Sequence, residues 1–559
     1  MAIKISELPV EGNEYNGDEL VALVQDPRAS AVTTRSSLSS ISGYLSGAVT
    51  AGGIQPLASP NKVNFFNSGQ CFQSGVTVVG QLSGQGSLII GCEITLANTT
   101  TLNSVGGGCA HTVNNGSCNV IGGGLRNQVA CANFMTIGGG DNNTALGIRS
   151  VIGGGGDNVA TSSSGNSVIG GGRCNQLGSG SGNVIGGGYN NGIVGNYSTV
   201  GGGLSLSAFG DRSFLGGGLS STTFSDYSAI VGGQCNVSNG EYAFVGGGCF
   251  NQTTADYATI AGGQSNIASG LSSFVGGGSK NTATNIGAAV VGGDNNHATG
   301  CNSFVGGGIG NTSSGVCSVA TGGANNQSQA NCSWVGGGAG NYVCSLASLG
   351  AVVGGNMNAV GGNGSAAFIG AGTANCVTGA CSVVVGGLCS CVTGTYSFIG
   401  AGQNNFLCEA NFATIVGGRN NELQSNASDS FIGGGCCNRA TVCYTAIAGG
   451  QGHCLTSTHG FVGGGESNCI LGGCYSNIVG GKSNCIHCGG ECFGFIAGGK
   501  NNQVLHCGSS VVGSDIDTVA ADTLHAKCLY LSAGALPTSD PGVSGVVYRS
   551  GCDLKISLG

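Results

Sequence analysis

The chain has 559 residues, of which 115 are Gly and 29 are Cys, while Lys and Arg together number 16 and Asp and Glu 24. Glycine stands at about three times its usual frequency and charge far below the usual ~25%, and the scarcity of Leu, Met and aromatic residues excludes a string of ordinary enzyme cores. A net charge of −8 without any Lys/Arg cluster argues against nucleic acid or an anionic membrane as partner, and with no long apolar run or secretory leader the expectation is a soluble chain, made in the cytoplasm, with no membrane insertion.

In chain order, residues 1–48 come first and differ from all that follows: they hold several acids, Pro9 and Pro27, and few glycines. A strand is expected over 20–24 and a short helix or turn from Ser36. Residues 49–104 form a transition in which the apolar pairs Val78-Val79 and Ile89-Ile90, each followed by Gly, read as degenerate first coils. From 105 to 514 one frame, S-x-(V/I)-G-G-G-x-x-N-x-A-x-G, recurs with a period of 15 and occasional insertions; aligned on its Asn it gives 26 units, from position 111 to position 502. Residues 515–559 are expected to cap the repeats and then to form a β-hairpin, with strands over 546–548 and 554–556 around a Ser550-Gly551 turn.

Three columns of the repeat are constrained. Six residues before the Asn stands an aliphatic residue, nearly always Val or Ile, as in Ile121, Ile260 and Val275; β-branched residues in one continuous column predict a strand facing a core. Three before the Asn is Gly in every unit, Gly108 and Gly278 among them, and four before it Gly is replaced only by Ala371 and Ala401. Paired glycines predict positive φ, or an approach of backbone to backbone that leaves no room for Cβ. The constant glycine further predicts a homotrimer whose axis lies beside it. The Asn itself, as in Asn281 and Asn296, predicts a ladder at a left-handed corner. A 15-residue period is too short for a helical repeat and suits one coil of a parallel β-solenoid with two short strands and two turns. Stacked at ~4.7–4.9 Å, such coils make a rod of roughly 120 Å. Polyproline-II packing of glycine helices would want Gly runs longer than three.

The frame resembles the head repeats of trimeric autotransporter adhesins, whose units N-S-x-A-(V/I)-G-x-x-A-x-A-x-G build a parallel β-roll that trimerises; the second and third Gly are a departure from it. The starting text, KISELP from Lys4, GDELVALVQD from Gly17 and VTTRSSLSSI from Val32, resembles the N-terminal segment of bacteriophage tail fibres, and LPTSDPGVSGVVYRSGCDLKISLG from Leu536 resembles the terminal hairpin of phage structural proteins. These resemblances imply a homotrimeric virion fibre assembled in the host cytoplasm, attached to other virion proteins through residues 1–48, and supporting contact with a host-surface glycan or protein. A bacterial surface adhesin or filament is the alternative reading, and a polysaccharide depolymerase a further one. Contacts are expected at inter-coil turns carrying Tyr189, Tyr227, Tyr242 and Tyr257.

Chemistry is sparse. No His and acid pair recurs, and acids such as Asp226, Glu241 and Asp256 lie in turns where they are expected to be solvated. The glycine triplets lack the Lys-Ser/Thr of a phosphate loop. No catalytic residue and no cofactor are therefore expected. The cysteines read chiefly as small apolar fillers kept reduced, with Cys454, Cys469 and Cys485 falling into one column where disulfides are sterically allowed. A weak zinc set, Cys485, His487, Cys488 and Cys492, lies in the longest insertion.

Overall fold

The computed structural model describes residues 91, 93–95, 102–490 and 493–526, and as strands alone Glu19–Leu20, Ser36–Ser37, Val78–Val79, Leu88–Ile89, Thr95–Ala97, Val547–Ser550 and Asp553–Ile556. The chain divides into two units, Met1–Asn64 and Phe65–Gly559. In the first, Glu19–Leu20 pairs antiparallel with Ser36–Ser37. Ser36 thus starts a strand and not a helix; no Glu or Gln stands three residues later to complete a capping box. The rest of the expected 20–24 strand lies outside the described residues.

The second unit is an all-β parallel solenoid, with no helix among the described residues. The coil that starts at Phe274 shows its anatomy. Phe274–Val275 is the first strand and Thr282–Ala283 the second, and each pairs in parallel register with its counterparts one coil earlier and later. The same pairing runs through successive first strands from Leu88–Ile89 to Leu524–Ala526 and through second strands from Val78–Val79 to Gln503–Val504.

The expectation of two hydrogen-bonded sides per coil is corrected to three. Ser279 bridges Gln264 below and Asp294 above, and this column continues from Cys109 to Lys500. It spans one residue per coil because Gly278 (φ 85°) and Lys280 (φ 55°) flank it in left-handed conformation, so extended backbone cannot propagate either way. The left-handed corner is a second correction: it falls on the residue before the Asn, not on the Asn.

The predicted core column is buried along its whole length, with Ile121, Ile260 and Val275 at 0% exposure. A second inward column comes from the second strand, as in Ala283 and Ala298. It turns polar at Ser238, Thr253, Ser313 and Ser328, and there the apolar core breaks into three clusters, ending at Val245, running from Ala258 to Ala320, and resuming at Ala330. The serines satisfy one another: Ser313 Oγ lies 2.6 Å from Ser318 Oγ and Ser328 Oγ 2.7 Å from Ser333 Oγ.

Inside each corner the Asn forms a spine. Asn281 is fully buried; its Oδ1 accepts the backbone N–H of Asn296 at 3.0 Å, and its Nδ2 donates to Gly277 O at 2.7 Å and Gly293 O at 2.9 Å. One amide thereby ties the glycine turn of its own coil to the next coil and leaves no buried donor idle. The ladder is mainly side chain to backbone rather than Asn to Asn.

The two glycine columns separate. A Cβ on Gly278 would stand 2.1 Å from Gly293 O, and one on Gly108 2.1 Å from Gly124 O. Together with positive φ, this makes the constant glycine a requirement of the single chain, so it supplies no ground for a trimer axis beside it. At the preceding glycine, by contrast, Gly292 and Gly322 have nothing within 4 Å of a built Cβ.

The ends are close to expectation. Leu88–Ile89 pairs with Ser104–Val105 in register Ile89↔Val105, one residue earlier than the predicted apolar pair. Leu524–Ala526 adds a last strand in which His525 faces Val511 across the ladder. Val547–Ser550 pairs antiparallel with Asp553–Ile556, and Ser550 faces Asp553. Ser550 therefore belongs to the strand and not to the predicted turn, whose other residue, Gly551, lies outside the described residues.

Candidate functional site

In most of the uninterrupted coils a buried Ser or Ala seven residues after the Asn closes the coil, as in Ala288 and Ser303. The residue just before it is exposed and left-handed, so its side chain stands at an outer corner directly above its counterpart. Tyr227, Tyr242 and Tyr257 occupy this position with φ of 56°, 56° and 58°. Their rings stack at 4.7 and 5.1 Å. Arg212 extends the stack, with its guanidinium 5.2 Å from the Tyr227 ring centroid and Nη1 donating to the Tyr227 hydroxyl at 2.7 Å. Loss of water, then the neighbouring Tyr227 and Tyr257, push the Tyr242 phenol above its ordinary range. A second stack joins Tyr444, His459, Tyr475 and Phe493. Of the four tyrosines picked out in the sequence, three come together; Tyr189 is exposed on the bridge column, away from them.

The turn acids do structural work. Asp226 accepts the backbone N–H of Asp211 at 2.8 Å and Asp256 that of Glu241 at 2.9 Å, so both cap the coil below, while Glu241 and Asp256 are exposed to solvent as expected. On the bridge and corner columns, Arg126 pairs with Asp141 at 2.8 Å and Arg173 with Asp157 at 3.1 Å, one coil apart and exposed. Such pairs contribute little individually.

Twenty-two cysteines are free among the described residues, while Cys109 and Cys488 are disulfide-bonded. The expected column forms: Cys454, Cys469 and Cys485 lie opposite one another in consecutive second strands, and Cys376 lies opposite Cys391. A hydrogen bond from Cys485 lowers the Cys469 thiol to about 7 and raises its own, and Cys391 does the same for Cys376, also to about 7.

The zinc set is divided by the strand alternation. Cys488 packs in the core at 2% exposure, whereas Cys485 and His487 face outward with Ile486 buried between them. Cys488 in a disulfide has no thiolate to offer, and Cys492 lies outside the described residues. Among the described residues no cluster of three or more His, Cys, Asp or Glu is placed to hold a metal ion, and no helix is long and apolar enough to cross a membrane.

One feature escapes a 15-residue reading. On the outer face of the first strands, from Phe214 onward, aromatic and small residues alternate: Phe214, Phe244, Phe274, Phe304 and Trp334 stand in every second coil, with Ala229, Thr259, Ala289 and Val319 between. The signal is in the sequence as a period of 30, which averaging over single units conceals. No family model and no curated protein matches the chain.

Proposed function

We propose that the chain is a structural fibre of a phage virion: a stiff homotrimeric spacer, held on the particle through residues 1–48 and supporting contact with a host-surface glycan or protein. The observation that supports it is the unbroken register of the coils. Each coil is tied to two neighbours by backbone bonds on three sides, such as Phe274 N–H to Ala288 O, Ser279 N–H to Gly293 O and Thr282 N–H to Asn296 O, all at 2.8–2.9 Å, and by the Asn spine. Bending such a stack opens several hydrogen bonds at once, which suits a spacer. The number of chains, the docking role of residues 1–48 and the virion itself come from the family resemblances.

The test is removal of residues 1–48. The shortened protein is expected to keep the β circular dichroism of the full chain and to be absent from purified particles, where gold-labelled antibody finds the full chain. Incorporation of the shortened protein, or absence of the full chain from every particle, overturns the reading. The second reading, a bacterial surface adhesin, is favoured by the disulfides at Cys109 and Cys488, since these persist in oxidising surroundings. Antibody that decorates uninfected cells and no particles decides for it.

A further inference from the structure

The alternating face carries an inference about what covers it. In the aromatic coils the residue two places on is mostly Gly, and the ring lies over it: a Cβ built on Gly276 would be 3.3 Å from Phe274 Cε1 and one on Gly336 3.0 Å from Trp334 Cζ2. In the intervening coils that place is taken by Val231, Ala261 or Val291. Rings and valines thus form one continuous strip from Phe214 to Phe495, and they remain exposed, Phe274 at 39%, Trp334 at 39% and Val291 at 48%. No charged residue occurs in either column over this stretch. Its length is roughly 90 Å at ~4.8 Å per coil; taken ~10 Å wide, it offers about 900 Å² of mostly apolar surface, beyond what a solitary soluble chain usually exposes and comparable with the ~800 Å² per partner of a stable interface.

The open glycine column follows directly along the backbone. In the aromatic coils Gly247, Gly277 and Gly307 have φ of 154–158°, which by itself asks for glycine, but in the intervening coils nothing within the chain does. Gly232, Gly262, Gly292 and Gly322 have nothing within 4 Å of a built Cβ, and Ala371 and Ala401 stand at the same position with their Asn hydrogen bonds intact at 3.2 and 3.1 Å. A glycine that the chain does not itself require, kept in successive intervening coils, is accounted for when another backbone lies against it.

We propose that this strip and the open glycine column are the contact surface between copies of this chain, packed side by side. The occupant is a second copy because a partner has to match a two-coil period of ~9.6 Å along the full length, which this surface itself does. An uncharged strip also meets its own image without the repulsion that like charges would bring. The proposal deepens the fibre reading by naming the face through which its chains meet.

The experiment measures the mass of the full-length protein by sedimentation equilibrium. Wild type is expected at an integral multiple of 54.2 kDa. A triple variant Gly262→Glu, Gly292→Glu, Gly322→Glu, placed where the chain leaves room for side chains, is expected at the monomer mass with unchanged circular dichroism, and Trp334, the single Trp, to emit further to the red. The variant Phe274→Ser, Phe304→Ser tests the rings in the same way. If the serine variant loses its circular dichroism, the glutamate variant alone decides. Monomeric wild type, whether or not it binds a polysaccharide, or a glutamate variant that assembles like wild type, overturns the proposal. Either result leaves the particle-incorporation test standing, and a chain that assembles but never enters particles overturns the fibre reading alone.

Discussion

A single side chain in the Asn spine reports how the solenoid handles charge. His453 replaces Asn in that column and is fully buried; its Nδ1 accepts the N–H of Asn468 at 3.1 Å. Charging the ring puts a proton on that nitrogen and sets donor against donor, and burial lowers its pKa below the ordinary 6.5. The unfolded chain therefore takes the proton more readily, so the contribution of this residue is present above pH 6.5 and lost as pH falls below it. Hydrogen exchange around Asn468, divided by its intrinsic rate at each pH, is expected to rise between pH 7.5 and 5 in wild type and to stay flat in His453→Asn, whose Oδ1 can accept the same N–H. An equal rise in both refutes this. The Cys469 thiol is lowered too, here by a hydrogen bond: its alkylation should follow a midpoint near 7. In Cys485→Ala, which removes the donor, the midpoint should climb toward the ordinary thiol range, as mass spectrometry of modified peptides can show.

At the level of the coil, two adjacent glycines have opposite standing. Gly293 has φ 90° and a Cβ there would meet Gly308 O at 2.1 Å, whereas Gly292 is open. Gly293→Ala is expected to cost more than the ~1–3 kcal/mol of backbone strain alone, because the clash is with backbone that cannot yield. Gly292→Ala should be neutral or stabilising by up to ~1 kcal/mol through the unfolded chain. Melting temperatures of the two variants side by side measure the difference, and a comparable loss in both would contradict the geometry. Much of the coil was legible in the sequence. The column of Ile260 and Val275 announced a strand and a core because every unit repeats the same demand. The third ladder was not legible, since the left-handed residue before the Asn is Lys280, Phe250, Met357 or Cys235 in different coils. Asn or Gly stands there in several coils, as in Asn295, Asn325, Gly310 and Gly340, a partial signal; elsewhere closure of the coil imposes the conformation on whatever residue stands there.

Across the stack, stability is a sum of coils and their neighbour contacts, so the breaks in the core decide where it opens. The seams at Ser238 and Thr253 and at Ser313 and Ser328 separate the three apolar clusters. Exchange and proteolysis are expected to begin at these two places rather than uniformly along the chain. The double variant Ser328→Ala, Ser333→Ala removes both members of a hydrogen-bonded pair and leaves Ala330 O, which Ser333 Oγ also meets at 2.7 Å, with the Ser333 N–H at 3.4 Å; it should slow opening at the second seam without affecting the first. Uniform exchange from end to end, or a double variant that opens faster, would count against it.

The sequence by itself determined the period, the strand that carries the core, the glycine turn and the Asn at the corner, because stacking forces each coil to solve the same packing problem with the same residues. Only the tertiary structure decided which of two neighbouring glycines the chain itself requires, since that depends on a carbonyl fifteen residues away in sequence and one coil step away in space. It also decided that Cys488 packs into the core while His487 beside it faces outward, and that Phe274 and Val291 belong to one exposed strip. Those relations run across the coils, and spacing along the chain does not specify them until the register between coils is fixed.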